Sequence, residues 1–273
     1  MMKPNVAVIM SIYKNDRLSF IIESIESILN QSYKSCDLYI VIDGPVSKDV
    51  EDYIVNISSI DNIFVSFDSV NKGLAFRLNQ LIEIASIKKE YKYIARMDAD
   101  DISIHSRIEE QVFFFENHSE VSVVGSDLME INEEGESVFY KSMPVKHDEL
   151  SSAIIKRCPF NHPSVMFKAE VFSSSIRYNE NLMNTQDYYL WVDLLSAGFK
   201  FANINKPLLK FRIDGNFHSR RGLKKAINDL KSRIYAFKIL KCYSVSNILH
   251  VILLFTLRIS PTFIKKLAYK KLR

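Results

Sequence analysis

Glycine is scarce in this chain. There are seven in 273 residues, at 44, 73, 125, 135, 198, 215 and 222, and none fall into G-x-G-x-x-G or G-x-x-x-x-G-K-[ST] spacing. That absence disfavours dinucleotide-dependent oxidoreductases and P-loop kinases, both of which cradle phosphate on a glycine-rich turn. Cysteine is equally sparse: Cys36, Cys158 and Cys242 stand far apart with no C-x-x-C pair, which argues against a disulfide framework or a zinc knuckle and fits a reducing cytosol. Low-complexity tracts, internal repeats and Pro/Gly/Ser-rich linkers are also missing. No long apolar run is present either. The stretch "ILHVILLFTL" (248–257) is closed by Arg258, too short for a bilayer core of about 30 Å, and the opening "MMKPNVAVIMSIYKND" has no small-residue cleavage site. The expectation is a chain that is neither exported nor membrane-spanning.

Acid is missing from the C-terminal region. From Arg220 onward fourteen Lys and Arg face one acid, Asp229, a local balance of +13 that leaves −9 of the overall +4 for residues 1–219. The tail is a different physical object from the rest.

What the chain does have is alternation. "NVAVIMSIY" (5–13) is short and rich in β-branched residues, and "RLSFIIESIESILNQ" (17–31) follows with Leu18, Ile21, Ile22, Ile25, Ile28 and Leu29 at helical spacing. The pattern repeats with "DLYIVIDG" (37–44) before "KDVEDYIVNI", "NIFVSF" (62–67) before "GLAFRLNQLIEIA" (73–85), and "YKYIARMD" (91–98) before "SRIEEQVFFFENH" (106–118). Four such units predict an α/β fold with a mostly parallel central sheet flanked by helices on both faces. Beyond residue 120 the reading turns mixed: a hairpin around "NEEGES", a short helix near 147–157, a strand "SVMF" (164–167) and a helix "QDYYLWVDLLSAG" (186–198) whose buried face runs through Leu190, Trp191, Leu194, Leu195 and Gly198. The division expected is 1–120, 121–219 and a helical tail 220–273.

Ligands of open parallel sheets collect beyond the carboxyl ends of the strands. The polar clusters fall there: Asp43 and Gly44 after the second strand, Asn71, Lys72 and Gly73 after the third, and "RMDADDIS" (96–103) after the fourth. Three carboxylates in four positions repel one another unless a cation shares them. Asp98 and Asp100 offer the hard oxygen ligands that suit Mg²⁺ or Mn²⁺, with phosphate oxygens and water completing the shell. A solvated turn capping the next helix is the competing explanation. The place after the first strand holds "SIYKNDR" rather than a glycine loop, so a diphosphate would be handled by metal and side chains.

In this order, "VAVIMSIYKND", "VIDGP", "NKGLAFRLNQ", "RMDADDIS", "CPFNHPSVMF", "NTQDYYLW" and "FRIDGNFHSRRG" resemble the successive signatures of bacterial inverting glycosyltransferases of family 2, which have the GT-A fold. The resemblance covers about residues 3–222. It implies Tyr13 and Asp16 near the nucleotide, Asp43 on the uracil, Asn71, Lys72 and Gly73 along the nucleotide edge, and Asp98 at the ribose. Asp100 becomes the principal metal ligand, with Asp101 supporting it and Arg96 steadying the acidic loop. Asp187 becomes the catalytic base, although an Asp in a first helical turn also serves the helix dipole. The family commonly has Glu-Asp where this chain has Gln186-Asp187, which touches contacts to the acceptor. His162 and Trp191 fall on the acceptor side, and His218 with Arg220 falls near the departing diphosphate or the metal. His105, His118, His147 and His250 carry no such pattern.

The resemblance extends to O-antigen and exopolysaccharide repeat-unit enzymes. The implied reaction takes a hexose, Gal or Glc, from a UDP-sugar to a sugar on a polyprenyl diphosphate, giving a β-linkage, with β-1,3 as the specific expectation. Independently, "PTFIKKLAYKKLR" sets Phe263, Ile264, Leu267, Ala268 and Leu272 on one helical side flanked by Lys265, Lys266, Lys270 and Lys271, a pattern suited to an anionic membrane surface. Binding to a nucleic-acid backbone leaves the apolar stripe unexplained, so no nucleic-acid partner is expected. The location expected is the cytoplasmic face of the inner membrane, peripherally attached. A metal-dependent sugar nucleotidyltransferase and a non-catalytic membrane scaffold are the rival readings.

Overall fold

The structure, a computed structural model, describes residues 5–88, 90–182, 184–213 and 223–260. The first half is built as the alternation predicts: β1 (Val6–Ile12), α1 (Leu18–Leu29), β2 (Cys36–Asp43), α2 (Lys48–Ile57), β3 (Ile63–Asp68), α3 (Leu74–Lys88), β4 (Tyr93–Asp98), the two-residue β5 (Ile102–Ser103) and α4 (Arg107–Asn117). The second half follows with β6 (Val121–Ile131), β7 (Ser137–Lys141), α5 (His147–Ser152), β8 (Met166–Lys168), α6 (Gln186–Ser196), β9 (Lys200–Arg212), α7 (Leu223–Leu240) and α8 (Val245–Ile259).

All the described strands join one mixed sheet in the order β3-β2-β1-β4-β8-β6-β9-β5, with β7 hairpinned onto β6. The β3-β2-β1-β4 portion is parallel. β8 enters antiparallel to both β4 and β6, and β9 runs parallel to β6. The sheet therefore crosses position 120 without a break, and the sequence division there falls between α4 and β6.

Strand alternation separates two cores. Val6, Val8, Met10 and Ile12 of β1 face one side, where Ile21 and Ile25 of α1, Val50 and Ile54 of α2 and Ile108 and Val112 of α4 pack. Ala7 and Ile9 face the other, against Leu78 and Ile82 of α3, Leu190, Trp191 and Leu194 of α6 and Phe237 of α7. Because β1, β2 and β4 are covered on both faces, they read as continuous apolar runs rather than alternating ones. The same alternation puts Asp43, Arg96 and Asp98 on the α3/α6 side, in phase with Val41 and Ile94.

α6 ends earlier than its apolar spacing suggests. Leu190, Trp191 and Leu194 are buried as expected, and Tyr188 and Val192 join them. The helix stops at Ser196, and Gly198 takes a left-handed turn at φ 86° just beyond it. Gly198 terminates the helix rather than extending its face, because a residue without Cβ enters that region at little cost.

Candidate active site

The carboxyl ends of β1 to β4 lie side by side, and the loops leaving them form one rim. At its first corner the Tyr13 N–H donates to Asp16 Oδ2 at 2.9 Å while the Asp16 N–H donates back to the Tyr13 carbonyl at 3.0 Å. This closed turn leaves the Tyr13 ring exposed at the rim.

The second corner is held by a buried ion pair. Asp43 Oδ1 accepts from Arg77 Nε at 2.7 Å and from the Lys72 N–H at 2.8 Å, and Oδ2 accepts from the Gly73 N–H at 2.9 Å. Arg77 also reaches Asp68 at 2.7 Å, Gln80 at 2.8 Å and the Val70 carbonyl at 2.5 Å. Asn71 Nδ2 donates to the Asp43 carbonyl at 3.0 Å. One carboxylate and one guanidinium thus bind β2, β3, the 70–73 loop and α3 together. Gly44 permits the approach: its φ is +83°, and a Cβ there would meet the Asn71 nitrogen at 2.8 Å. Asp43, Asn71, Lys72 and Gly73 are therefore a connected unit, and most of the oxygen capacity of Asp43 is spent inside the protein.

The third corner is the acidic loop. The carboxylate oxygens of Asp98, Asp100 and Asp101 lie within 4.8 Å of one another. Asp100 is exposed, Asp98 partly covered and Asp101 wholly buried. Loss of hydration, then the charge of Asp98, pushes Asp100 up to about 6. Desolvation likewise pushes Asp16 up to about 7, with Asp100 and Asp98 adding to it against the Tyr13 N–H. Asp101 is driven well above the carboxylate range, first by burial and then by Asp100 and Asp98. An acidic rim in which protonation is this favourable is short of positive charge, and a divalent cation with oxygen preference fits it. Asp100 and Asp98 are placed to hold one. Asp101 is committed inward, with Oδ1 accepting from the Arg212 N–H at 2.9 Å.

Sequence reasoning missed what supports this loop. Arg212, at the end of β9, donates from Nε to the Asp100 carbonyl at 3.0 Å and from Nη2 to Glu23 at 2.5 Å, and lies 4.0 Å over the Phe20 ring. Arg107, wholly buried at the start of α4, donates from Nη2 to the Arg96 carbonyl at 2.7 Å; burial pulls it down to about 10, opposed by Asp101. Ser24 Oγ donates to the Asp98 carbonyl at 2.8 Å, and the Ser103 N–H donates to Ser27 Oγ at 3.0 Å. The one available signal was the polar spacing of Ser24 and Ser27 on α1 and Gln31 just beyond it.

Arg96 connects the acidic loop to the other half. It is 2% exposed, its Nη2 donates to Asp98 Oδ1, and its Nε and Nη1 are buried with no hydrogen-bond partner among the described residues. Its positive charge acts on Asp187, His162 and Tyr178. His162 opens a 3-10 turn, its Nε2 lies 2.9 Å from the Tyr178 hydroxyl, and its ring meets the Trp191 ring edge-on at 5.8 Å. Burial, then Arg96, holds His162 well below the ordinary imidazole value, so it is neutral. Tyr178 is fastened to α3 by a reciprocal pair, its N–H donating to Asn79 Oδ1 at 3.0 Å and its carbonyl accepting from Asn79 Nδ2 at 2.9 Å.

Asp187 is the second residue of α6, whose N-cap, Thr185, adopts φ 78°. A β-branched residue in left-handed backbone is strained, and such strain collects where surrounding packing fixes a functional geometry. Burial raises the Asp187 pKa; the Tyr188 N–H, then Arg96 and more weakly Lys225, favour the ionised form. Gln186 Oε1 and Trp191 Nε1 are buried without a partner among the described residues. His218 and Arg220 lie outside the described residues.

The rim thus brings together Tyr13, Asp16, Asp43, Asn71, Lys72, Gly73, Asp98, Asp100 and Asp101, and Arg96 joins it to His162 and Asp187. Chemically, the arrangement offers a cation site at one end and, at the other, a carboxylate whose proton affinity exceeds that of a free Asp.

Known proteins are similar to this chain. The family model for glycosyl transferase family 2 matches residues 7–173. The amylovoran biosynthesis glycosyltransferase AmsE of Erwinia amylovora is 26% identical over 97% of this chain and 98% of its own length. The UDP-Gal:alpha-D-GlcNAc-diphosphoundecaprenol beta-1,3-galactosyltransferase of Escherichia coli is 28% identical over 98% and 96%. Among solved structures, S. aureus TarS 1–349 in complex with UDP-GlcNAc superposes with a TM-score of 0.62 at 14% identity, covering 96% of this chain and 83% of that one. The Pyrobaculum calidifontis mannosyltransferase PcManGT, with GDP-Man and Mn²⁺, gives 0.61 at 14%, covering 94% and 74%. These neighbours have the GT-A fold, as the sequence resemblance implied. With its family model matched over more than half its length, the chain belongs to glycosyl transferase family 2.

Proposed function

We propose that the protein transfers a hexose, Gal or Glc, from a UDP-sugar to a sugar carried on a polyprenyl diphosphate, with inversion and formation of a β-linkage, in surface polysaccharide synthesis. The observation that carries this reading is the Arg96 bridge, a buried guanidinium that pairs with Asp98 of the acidic loop and whose charge acts on Asp187. Asp187 accepts the proton of the acceptor hydroxyl as that oxygen attacks the anomeric carbon from the face opposite UDP. Neutral His162, held by Tyr178, orients the acceptor, and the exposed Tyr13 ring meets the base. Lys72 and Gly73, anchored by Asp43, line the nucleotide edge. Asp100 and Asp98 would hold Mn²⁺ or Mg²⁺, which would supply positive charge against that developing on the departing diphosphate.

A relative's name supports the finer detail: it specifies a UDP-Gal donor, a GlcNAc-diphosphoundecaprenol acceptor and a β-1,3 linkage, and we extend that linkage to this chain. Structural neighbours hold UDP-GlcNAc and, in PcManGT, GDP-Man with Mn²⁺. No helix among the described residues is long and apolar enough to cross a membrane. We place the enzyme peripherally on the cytoplasmic face of the inner membrane, where such an acceptor is presented. The test is incubation with a panel of UDP-sugars and synthetic lipid-diphosphate sugars, followed by mass spectrometry. Release of UDP with a glycoside product supports sugar transfer, whereas release of pyrophosphate identifies a nucleotidyltransferase.

A further inference from the structure

We infer that α8 is a lipid-inserting helix whose outward stripe enters the headgroup region of an anionic bilayer. This deepens the peripheral attachment proposed above, which the sequence had ascribed to residues 263–272, and it assigns insertion to a different element. On α8 the residues Val245, Ile248, Leu249, Ile252, Leu253 and Ile259 recur at helical spacing, and each is at least 45% exposed. The opposite side is occupied: Val251 is buried against α7, and Arg258 pairs with Asp229. The helix is thus held by one face and presents Val, Ile and Leu to solvent on the other, an arrangement that a water-facing helix avoids.

The charge of the surroundings names the occupant. Beyond Asp229 the chain has no further acid and ten Lys and Arg, five of them in the segment 261–273 that directly follows α8. An apolar stripe followed in sequence by concentrated positive charge complements a surface that offers hydrocarbon beneath anionic headgroups. A second copy of the chain is a poorer fit, since pairing two stripes would bring two such basic segments together. The described helix has 15 residues, about 22 Å, and is shorter than a bilayer core of about 30 Å.

The placement also relates the attachment to the site. α8 packs on α7, and α7 packs on α6, where Arg233 sits 3.9 Å over the Tyr188 ring and the Tyr235 hydroxyl donates to Asp193 at 2.5 Å. α6 carries Asp187 in its first turn. The helix that enters the bilayer is therefore joined through α7 to the helix that carries the proposed base.

The test uses the full chain with Leu253→Trp as reporter; the native Trp191 is wholly buried and supplies a constant background. Vesicles of phosphatidylcholine mixed with phosphatidylglycerol should shift the reporter emission to the blue, and brominated lipid should quench it, while phosphatidylcholine alone does neither. A second variant, Leu249→Ser with Ile252→Ser and Leu253→Ser, should lower partitioning into anionic vesicles by about tenfold or more, with unchanged circular dichroism and unchanged transfer to a soluble acceptor. Reporter emission that stays unshifted while the chain co-sediments would assign binding to residues 261–273 alone and overturn the proposal. A dimer by light scattering that the triple variant dissolves would overturn it in favour of self-association. The emission, quenching, partitioning and light-scattering readouts need no turnover, so they stand or fall separately from the proposed reaction.

Discussion

Arg77 Nε and Asp43 Oδ1 meet at 2.7 Å with side chains only 1% and 3% exposed, joining α3 to the end of β2. Two charges so far from water are tolerated because each is saturated: the carboxylate takes two backbone N–H groups as well, and the guanidinium reaches Asp68, Gln80 and the Val70 carbonyl. Removing one partner leaves the other buried and uncompensated. Arg77→Met should therefore cost about 3–5 kcal/mol in stability, read from the denaturant midpoint. Because the 71–73 loop hangs on Asp43, UDP affinity should fall as well. A midpoint within error of the wild type would mean that Asp43 is rehydrated at little cost.

Arg96 should tune the proposed base. Burial raises the Asp187 pKa, the Arg96 charge opposes that rise, and a base acts in its deprotonated form. Transfer should therefore decline as pH falls through the Asp187 pKa, above the ordinary Asp range. Arg96→Met removes the opposing charge, so this acid limb should move to higher pH. An acid limb that stays in place, with only the plateau lowered, would restrict Arg96 to supporting the loop.

The cation should be exchangeable. EDTA is expected to abolish transfer and Mn²⁺ or Mg²⁺ to restore it, because Asp100 presents an exposed carboxylate to the rim. Asp100→Ala should lose on the order of a hundredfold or more in rate, given the several kcal/mol of charge stabilisation a metal supplies, while keeping its thermal midpoint. Full activity in EDTA would remove the metal from the account.

The elements in the first half were legible because strands covered on both faces by helices leave an unmistakable signal, continuous apolar runs alternating with helical periodicity. Gly198 was misread because spacing alone does not reveal where a helix stops. Within the site, Asp98 to Asp101 stood out by density, and Asp187 by resemblance to the family. The arginines beneath them did not. Arg77 finds Asp43 at a separation of 34 positions and the Arg212 guanidinium finds the Asp100 carbonyl at 112, and a buried Arg looks in sequence like any surface Arg. Only folding decides which cations go inside, so the half of the electrostatics that makes an acidic rim tolerable was hidden.

The account's central claim is that the donor site and the base are separate parts brought together, with Asp187 serving chemistry and not nucleotide binding. Asp187→Asn separates the two in one preparation: calorimetric titration with UDP and Mn²⁺, alongside single-turnover transfer. UDP affinity should match the wild type while the rate falls by roughly two to four orders of magnitude, the usual contribution of general acid–base catalysis. A fall in UDP affinity proportional to the loss of rate would contradict the claim and return Asp187 to a structural or nucleotide-binding role.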